Sequence, residues 1–342
     1  MATTTGASAP PTPRTAPAVA RSTPTDARPT TPPGRAAIRP RRRRRTIGLT
    51  VLPLIGYFAL FFVVPFGVIF WYSLGEKPSL FEQHSNAHLS LDRYVESMSP
   101  AFTGTFLKTV QISVVGTVLC LLIAYPMAYW MAFKLSARSR ALAIALVLVP
   151  YWTNFLVRTL GWKIALSPDG FLSNALQAIH LLPGPLEILN TTGAVQLGVV
   201  YNYLPLMILP LYVSLDSMDR RLLEANADLG GTPWTGFWKV TVPLSKGGIT
   251  SGLLLVFVPL MGDYITPAVL GGAKGSMVGQ MVASQFQSAQ NWALGSAMAI
   301  VLILAILACV GVAMVLARAV GWAFRRTRGL RLAAVAGEGE AS

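Results

Sequence analysis

The sequence predicts an all-α protein that crosses a lipid bilayer six times. Three observations carry that prediction: too little charge for a surface wetted on all sides, six apolar runs of spanning length, and basic residues gathered on one side of those runs. Hydrophobic residues make up 53% of the 342 positions and charged residues 12%, against about 25% charged in ordinary soluble domains. A surface with so few charges must face lipid over much of its area.

Residues 1–46 hold nine prolines and ten arginines with almost no large apolar side chains. Such a stretch cannot bury enough apolar surface to offset the entropy of ordering, and reads as a disordered basic tail ending in Arg41 to Arg45. A plain stop charge ahead of a span accounts for that run; a nucleic-acid arm or a patch for anionic lipid are the sharper alternatives. The net charge of +14 otherwise sits at the ends of apolar runs, as in the five basic residues from Arg318 to Arg331. That distribution suits membrane orientation better than nucleic acid. Cys120 and Cys309 both fall within apolar runs and read as packing residues, not as a disulfide or a metal site.

The first span runs near Ile47 to Leu74. It is too long for the core of a cleaved signal, and no small-residue cleavage site follows, so it reads as an uncleaved anchor. The second covers Thr105 to Phe133, the third Ala141 to Thr159, the fourth Ala194 to Leu215, the fifth Ile249 to Leu270 and the sixth Leu294 to Trp322. Each offers the roughly 20 apolar residues a bilayer requires. The domain layout is therefore a tail (1–46), a membrane domain (47–323) with a long loop at 216–248, and a second tail (324–342).

Orientation follows from the basic residues. With both termini in the cytoplasm, the inner segments 1–46, 134–140, 216–248 and the C-terminal end carry 22 of the 28 Lys and Arg, leaving Lys77, Arg93, Lys108, Arg158, Lys163 and Lys274. That bias is the positive-inside pattern. The outer segments are then 75–104, 160–193 and 271–293. His84 and His88 stand i, i+4 in the first, but without a third ligand nearby they read as residues of a solvated loop.

The loop at 216–248 is more than a connector. Ser217 or Asp216 is placed to cap a helix that runs through Arg221, Leu222, Leu223 and Ala227 to Leu229, which Gly230-Gly231 ends. Thr232 then caps a second helix with Pro233 at its first position, carrying Trp234, Phe237, Trp238 and Val240, and Pro243 is expected to break it. Exposed aromatics with few charges suit either a helix pair lying on lipid headgroups or a knob for a cytoplasmic partner. Glu224 is the candidate polar contact of such a knob; pairing with Arg220 or Arg221 is the alternative.

The spacing of this loop resembles the Glu-Ala-Ala loop of the membrane subunits of binding-protein-dependent ABC importers. Glu224-Ala225-Asn226 is followed after three residues by Gly230, and after nine more by Val240-Thr241-Val242-Pro243. Asn226 replaces the second alanine, and two valines stand for the usual isoleucine and leucine. The resemblance implies a type I importer fold with short coupling helices. Glu224, Ala225, Gly230, Trp234, Phe237, Trp238 and Pro243 would then dock a cytoplasmic ATPase. The chain has no G-x-x-x-x-G-K-[ST] run, so ATP hydrolysis is expected on that separate subunit and not here. No catalytic residue, cofactor or metal is called for.

In the fifth predicted span, Gly262-Asp263-Tyr264-Ile265-Thr266-Pro267 places a carboxylate in apolar surroundings. Intramembrane carboxylates mark functional sites by default. Asp263 beside Tyr264 suits an ammonium group; a helix cap or an ion pair with Arg158 are the alternatives. Near the end of the third span, Tyr151, Trp152 and Trp162 fit an interfacial aromatic belt, and Arg158 calls for a partner. The blocks PYWTNFLVRTLGW, LPLMILPLYVSLDSMDRRLLEANADLG and GDYITPAVLGG together resemble spermidine/putrescine permeases. That resemblance implies a polyamine pathway with Asp263, Tyr264, Tyr151, Trp152 and Arg158 as its candidate residues, Arg158 facing either Asp263 or a substrate carboxylate. It also implies a second, unlike six-span subunit, two ATPases, an extracytoplasmic binding protein and residence in a bacterial inner membrane. Permeases for iron, thiamine or opine-like solutes share much of the pattern, and a non-transporting scaffold is the reading from another class.

Overall fold

The computed structural model describes residues 53–79 and 82–339. The expected tail at 1–46, its arginine run and the start of the first span lie outside the described residues. Residues from Tyr57 onward form one unit; of the unit before it, only 53–56 are described. Among the described residues, regular structure is helical apart from a single antiparallel bridge between Glu76 and Ser85.

Helix α1 runs over Pro53–Ser73. It contains a wide turn at Ala59–Val63, closed by a bond from the Val64 N–H to the Ala59 carbonyl, one residue beyond α-helical reach. Pro65 follows directly and cannot donate to the preceding turn, which is where such widened turns accommodate a proline. Tyr57, Phe58, Phe61, Phe62 and Phe66 are all exposed along this helix, as lipid-facing side chains are.

A short α2 (Asp92–Ser97) precedes α3 (Pro100–Phe133), the longest helix before the last. The third predicted span is not one helix. α4 (Ala137–Trp152) and α5 (Phe155–Ala165) meet at 91°. The break has a local cause: Asn154 Oδ1 accepts the Leu156 N–H at 2.8 Å, and the Thr153 hydroxyl donates to the Pro150 carbonyl at 2.6 Å. A capped helix starts where the apolar run alone predicts continuation. After α6 (Phe171–Ala178), α7 (Thr192–Asp216) matches the fourth predicted span and is capped by Thr191.

The loop that follows holds α8 (Arg221–Asp228) and α9 (Pro233–Leu244). Pro243 does not break α9 as expected. A widened turn at Phe237–Thr241, with the Val242 N–H bonded to the Phe237 carbonyl, absorbs the proline, and the helix ends at Leu244. Helix α10 (Lys246–Met261) meets α9 at 63° and is shorter than the predicted fifth span. Its 16 residues extend about 24 Å at 1.5 Å each, short of the roughly 30 Å hydrocarbon core. Beyond it come a widened turn α11 (Pro267–Gly271), α12 (Val278–Gln287) and α13 (Trp292–Gly339). The helical backbone of α13 runs through the boundary expected at 324. Four helices are long and apolar enough to cross a membrane, and counting each bent pair as one span gives up to six.

The core forms where α7 packs between α3 and α10. Cys120, Ala124 and Ala128 from α3 meet Val199, Met207 and Leu211 from α7 and Val256 and Leu260 from α10. Close approach depends on Gly248 and Gly252, one helical turn apart on α10. A Cβ on Gly248 would stand 2.7 Å from the Pro210 carbonyl oxygen, and one on Gly252 would stand 2.7 Å from Met207 Sδ. Small residues at this spacing let helix backbones touch where lipid offers no hydrophobic drive to associate. A second cluster, with Phe102, Met261, Val278, Leu294 and Met298, ties α3, α12 and α13 together. In the first predicted outer segment, His84 is half-buried with its ring 4.2 Å from that of Tyr72, not free in solvent, while His88 is exposed. No group of three metal-ligating side chains occurs among the described residues.

Gly248→Ala should lower thermal stability by the roughly 1–3 kcal/mol that an overpacked contact costs. Gly247→Ala, with open space around it, should be neutral or slightly stabilising. Melting of the two purified variants in detergent checks the contrast.

Candidate functional site

Two local structures gather the residues singled out from the sequence: the helix pair α8–α9 and the break after α10. At the first, Asp219 and not Ser217 or Asp216 caps α8, its Oδ1 accepting the Arg221 N–H at 3.0 Å. The Ser217 hydroxyl donates instead to the Ser214 carbonyl at 3.0 Å. Asp216, the last residue of α7, accepts from Arg140 Nη1 at 2.6 Å and from the Tyr212 hydroxyl at 3.2 Å. Two residues make the difference: the chain completes α7 before it turns.

Helix α8 ends in a Schellman turn. The Gly230 N–H bonds to the Ala227 carbonyl at 2.9 Å and the Gly231 N–H to that of Asn226 at 2.8 Å. Gly230 sits at φ +76°, a conformation that costs any side chain. Thr232 then caps α9, its hydroxyl accepting the Thr235 N–H at 3.3 Å. The angle between the helices is thus set by backbone bonds and one left-handed glycine.

Glu224 and Ala225 face solvent on α8. The Glu224 carboxylate has no hydrogen-bond or ion-pair partner among the described residues, so the side-chain pairing with Arg220 or Arg221 that the sequence left open is not formed. Trp234 and Trp238 are 69% and 53% exposed, with rings 5.8 Å apart. Phe237 turns the other way: its ring stands edge-on to Tyr125 and Tyr129 of α3, at 5.6 and 6.0 Å. It anchors the pair, and Leu222 and Leu229 are the further exposed apolar side chains of this segment. The sequence places both leucines on this helix but not among the docking residues; the position of Leu229 directly before the glycine turn, where it is 89% exposed, was the available signal.

At the second structure, Asp263 is 6% exposed. Its Oδ1 accepts the N–H groups of Ile265 and Thr266 at 3.0 and 3.1 Å, and its Oδ2 accepts the Thr266 hydroxyl at 2.6 Å. The carboxylate is the cap of the turn that restarts the chain after Gly262. Gly279 of α12 closes over the break: a Cβ there would lie 2.7 Å from the carbonyl oxygens of both Gly262 and Asp263.

Arg158 does not pair with Asp263. Its guanidinium lies over the rings of Tyr151 and Phe155, at 5.2 and 5.6 Å, an arrangement that satisfies a cation through ring faces. Tyr203, which the sequence did not flag, donates its hydroxyl to the Pro259 carbonyl at 3.5 Å, stands edge-on to Phe155 with ring centroids 6.0 Å apart, and interacts electrostatically with Asp263. Tyr264 and Trp152 are both exposed, at 46% and 78%. A cavity of about 330 Å³ between α5 and α7 is lined by Arg158, Gly161, Trp162, Ala165, Leu172 and Tyr201.

Removing the cap should cost about 0.5–2 kcal/mol. Asp263→Ala is therefore expected to lower the melting temperature in detergent, while Asp263→Asn, whose amide oxygen still accepts the two backbone N–H groups, should keep most of it. Equal losses in both variants would mean that charge, and not capping, holds the turn.

Residues 58–326 match the family described as "Binding-protein-dependent transport system inner membrane component". The chain is 40% identical over 212 residues to the spermidine/putrescine transport system permease protein PotB of Haemophilus influenzae, covering 62% of this chain and 74% of that protein. It is 34% identical over 254 residues to PotB of Salmonella typhimurium strain SL1344, covering 74% and 88%. With the inner membrane ABC transporter permease protein YdcU of Escherichia coli K12 it shares 31% identity over 269 residues, covering 72% and 86%. Among solved structures, its fold resembles a chain of a bacterial ABC transporter involved in the import of the acidic polysaccharide alginate. The TM-score is 0.63 at 16% identity, over 81% of this chain and 96% of that one. The chain belongs to the inner-membrane components of binding-protein-dependent transport systems.

Proposed function

We propose that this protein is one membrane subunit of an ATP-driven importer for polyamines, passive in itself, that forms half of the pathway. A second, unlike permease subunit supplies the other half, two cytoplasmic ATPases drive it, and an extracytoplasmic binding protein delivers the solute. Both termini and the loop 216–248 lie in the cytoplasm.

The observation that carries the coupling role is the surface of α8–α9. An unpaired Glu224 stands on a helix pair that also exposes Leu222, Leu229, Trp234 and Trp238. Exposed apolar side chains and one free carboxylate on the same helix pair suit a partner that brings a cleft and a cation. Gly230, Phe237 and the cap at Thr232 hold that pair in shape. The polyamine assignment is supported by the relatives named for spermidine and putrescine, at 34–40% identity. Exposed rings of Trp152 and Tyr264 offer weak cation–π contacts to a passing ammonium group. Asp263 contributes by holding the turn beneath Tyr264 and by its field, since its oxygens are already engaged.

Glu224→Ala or Gly230→Trp is expected to reduce ATPase copurification and uptake of radiolabelled spermidine by roughly tenfold, about 1.4 kcal/mol of coupling. Wild-type recruitment and uptake in Gly230→Trp would remove the loop from coupling. Stronger uptake of an amino acid, thiamine or ferric iron than of spermidine or putrescine would overturn the polyamine assignment. For orientation, alkaline phosphatase fused after His180 should be active and after Gly231 inactive; the reverse would invert the topology.

A further inference from the structure

We infer that Arg220 is a positioning residue through which the helix pair moves the end of α3, an inference that rests on the coupling role proposed for that pair. The Ala132 carbonyl lies in the last turn of α3, where a helix leaves its carbonyls without donors. It accepts two guanidinium N–H groups, from Arg220 Nη2 at 2.9 Å and from Arg140 Nη2 at 3.1 Å. Both lone pairs of one oxygen are thereby used, and the positive charges suit a helix C-terminus. The Arg220 guanidinium also lies 5.8 Å over the Phe133 ring. Arg140 Nη1 holds Asp216, whose other oxygen accepts from Tyr212. The end of α3, the start of α4, the end of α7 and the start of α8 therefore meet at one backbone oxygen.

The far flank of the pair grips the same helix. Phe237 stands against Tyr125 and Tyr129, and the Tyr125 hydroxyl bonds to that of Ser245 at 3.0 Å. Every one of these contacts on α3 falls between residues 125 and 133, around and beyond Pro126. Pro126 has no N–H to bond the preceding turn, so this last stretch is joined to the rest of α3 by one hydrogen bond fewer. A push on α8 or α9 is thus applied from two sides to a short arm with a softened root. The Arg220 guanidinium and the Glu224 carboxylate are not paired among the described residues, their bond being from the Glu224 N–H to the Arg220 carbonyl at 3.3 Å, which separates the side chain that holds the arm from the one offered to the ATPase.

The test uses the intact importer, with its ATPase and binding protein, in proteoliposomes, reading ATP hydrolysis and spermidine uptake in one preparation. Arg220→Ala should keep the ATPase bound and hydrolysing while uptake per ATP falls about fivefold or more, the scale on which coupling residues act. Arg220→Lys should recover part of it, since an ammonium reaches one lone pair but cannot lie flat on Phe133. Because Arg140 and Arg220 share an acceptor, the double alanine variant should fall short of the sum of the singles. Unchanged uptake per ATP in Arg220→Ala would overturn the inference, as would loss of ATPase copurification from both the Ala and Lys variants, which would place Arg220 in docking. A wild-type complex that neither hydrolyses ATP nor takes up spermidine would sink the importer role itself and is distinguishable from either result.

Discussion

The cost of leaving a backbone N–H or C=O without a partner, several kcal/mol where water is excluded, governs how this chain is built. An unbroken helix meets it automatically, so α1, α3, α7 and α13 need little beyond apolar side chains. Wherever the chain departs from a helix near the membrane interior, a side chain must stand in for the missing backbone partner. Asn154 does so at the start of α5 and Asp263 at the turn after Gly262. Ala132 is the reverse case, a carbonyl left over at a helix end and taken up by two arginines.

The same constraint explains which helices can sit close together. Helix α10 carries no bulky side chain at Gly248 and Gly252, and its backbone therefore rests against Pro210 and Met207 of α7. The carbonyls freed at Gly262 and Asp263 are covered by Gly279 of α12, a position where any larger residue would force the break open. Packing and polar satisfaction are thus solved together in the stretch from 248 to 279, and the polar residues there serve the backbone first.

Much of this was legible in the sequence where the signal is local. The lengths of α3 and α7 and the end of α1 follow from runs of apolar residues, and the Gly230-Gly231 turn follows from a glycine where only glycine sits without strain. The bends were not, although their agents were visible. Asn154 reads as one polar residue at the end of an apolar run, and only the fold shows that its side chain replaces an N–H partner. Asp263 read equally well as a pathway carboxylate, as a cap or as a partner of Arg158; only bonds to neighbours two and three residues on reveal the cap. The clamp on Ala132 was beyond reach, because its acceptor is a backbone atom 88 residues from Arg220. His84 and Phe237 show the same limit: an aromatic residue's partner across the fold leaves no periodic trace.

Asn226 stands where the related loops carry a second alanine. Its amide lies against Gly231 and Gly236, so that a Cβ on Gly231 would meet it at 2.5 Å and one on Gly236 at 3.2 Å. The larger side chain is thus matched by two absent ones on the facing turn and helix. These three positions form a single exchangeable unit. A chimera that grafts this loop onto another permease, or brings a foreign loop into this one, keeps the angle between α8 and α9 only if all three residues travel together.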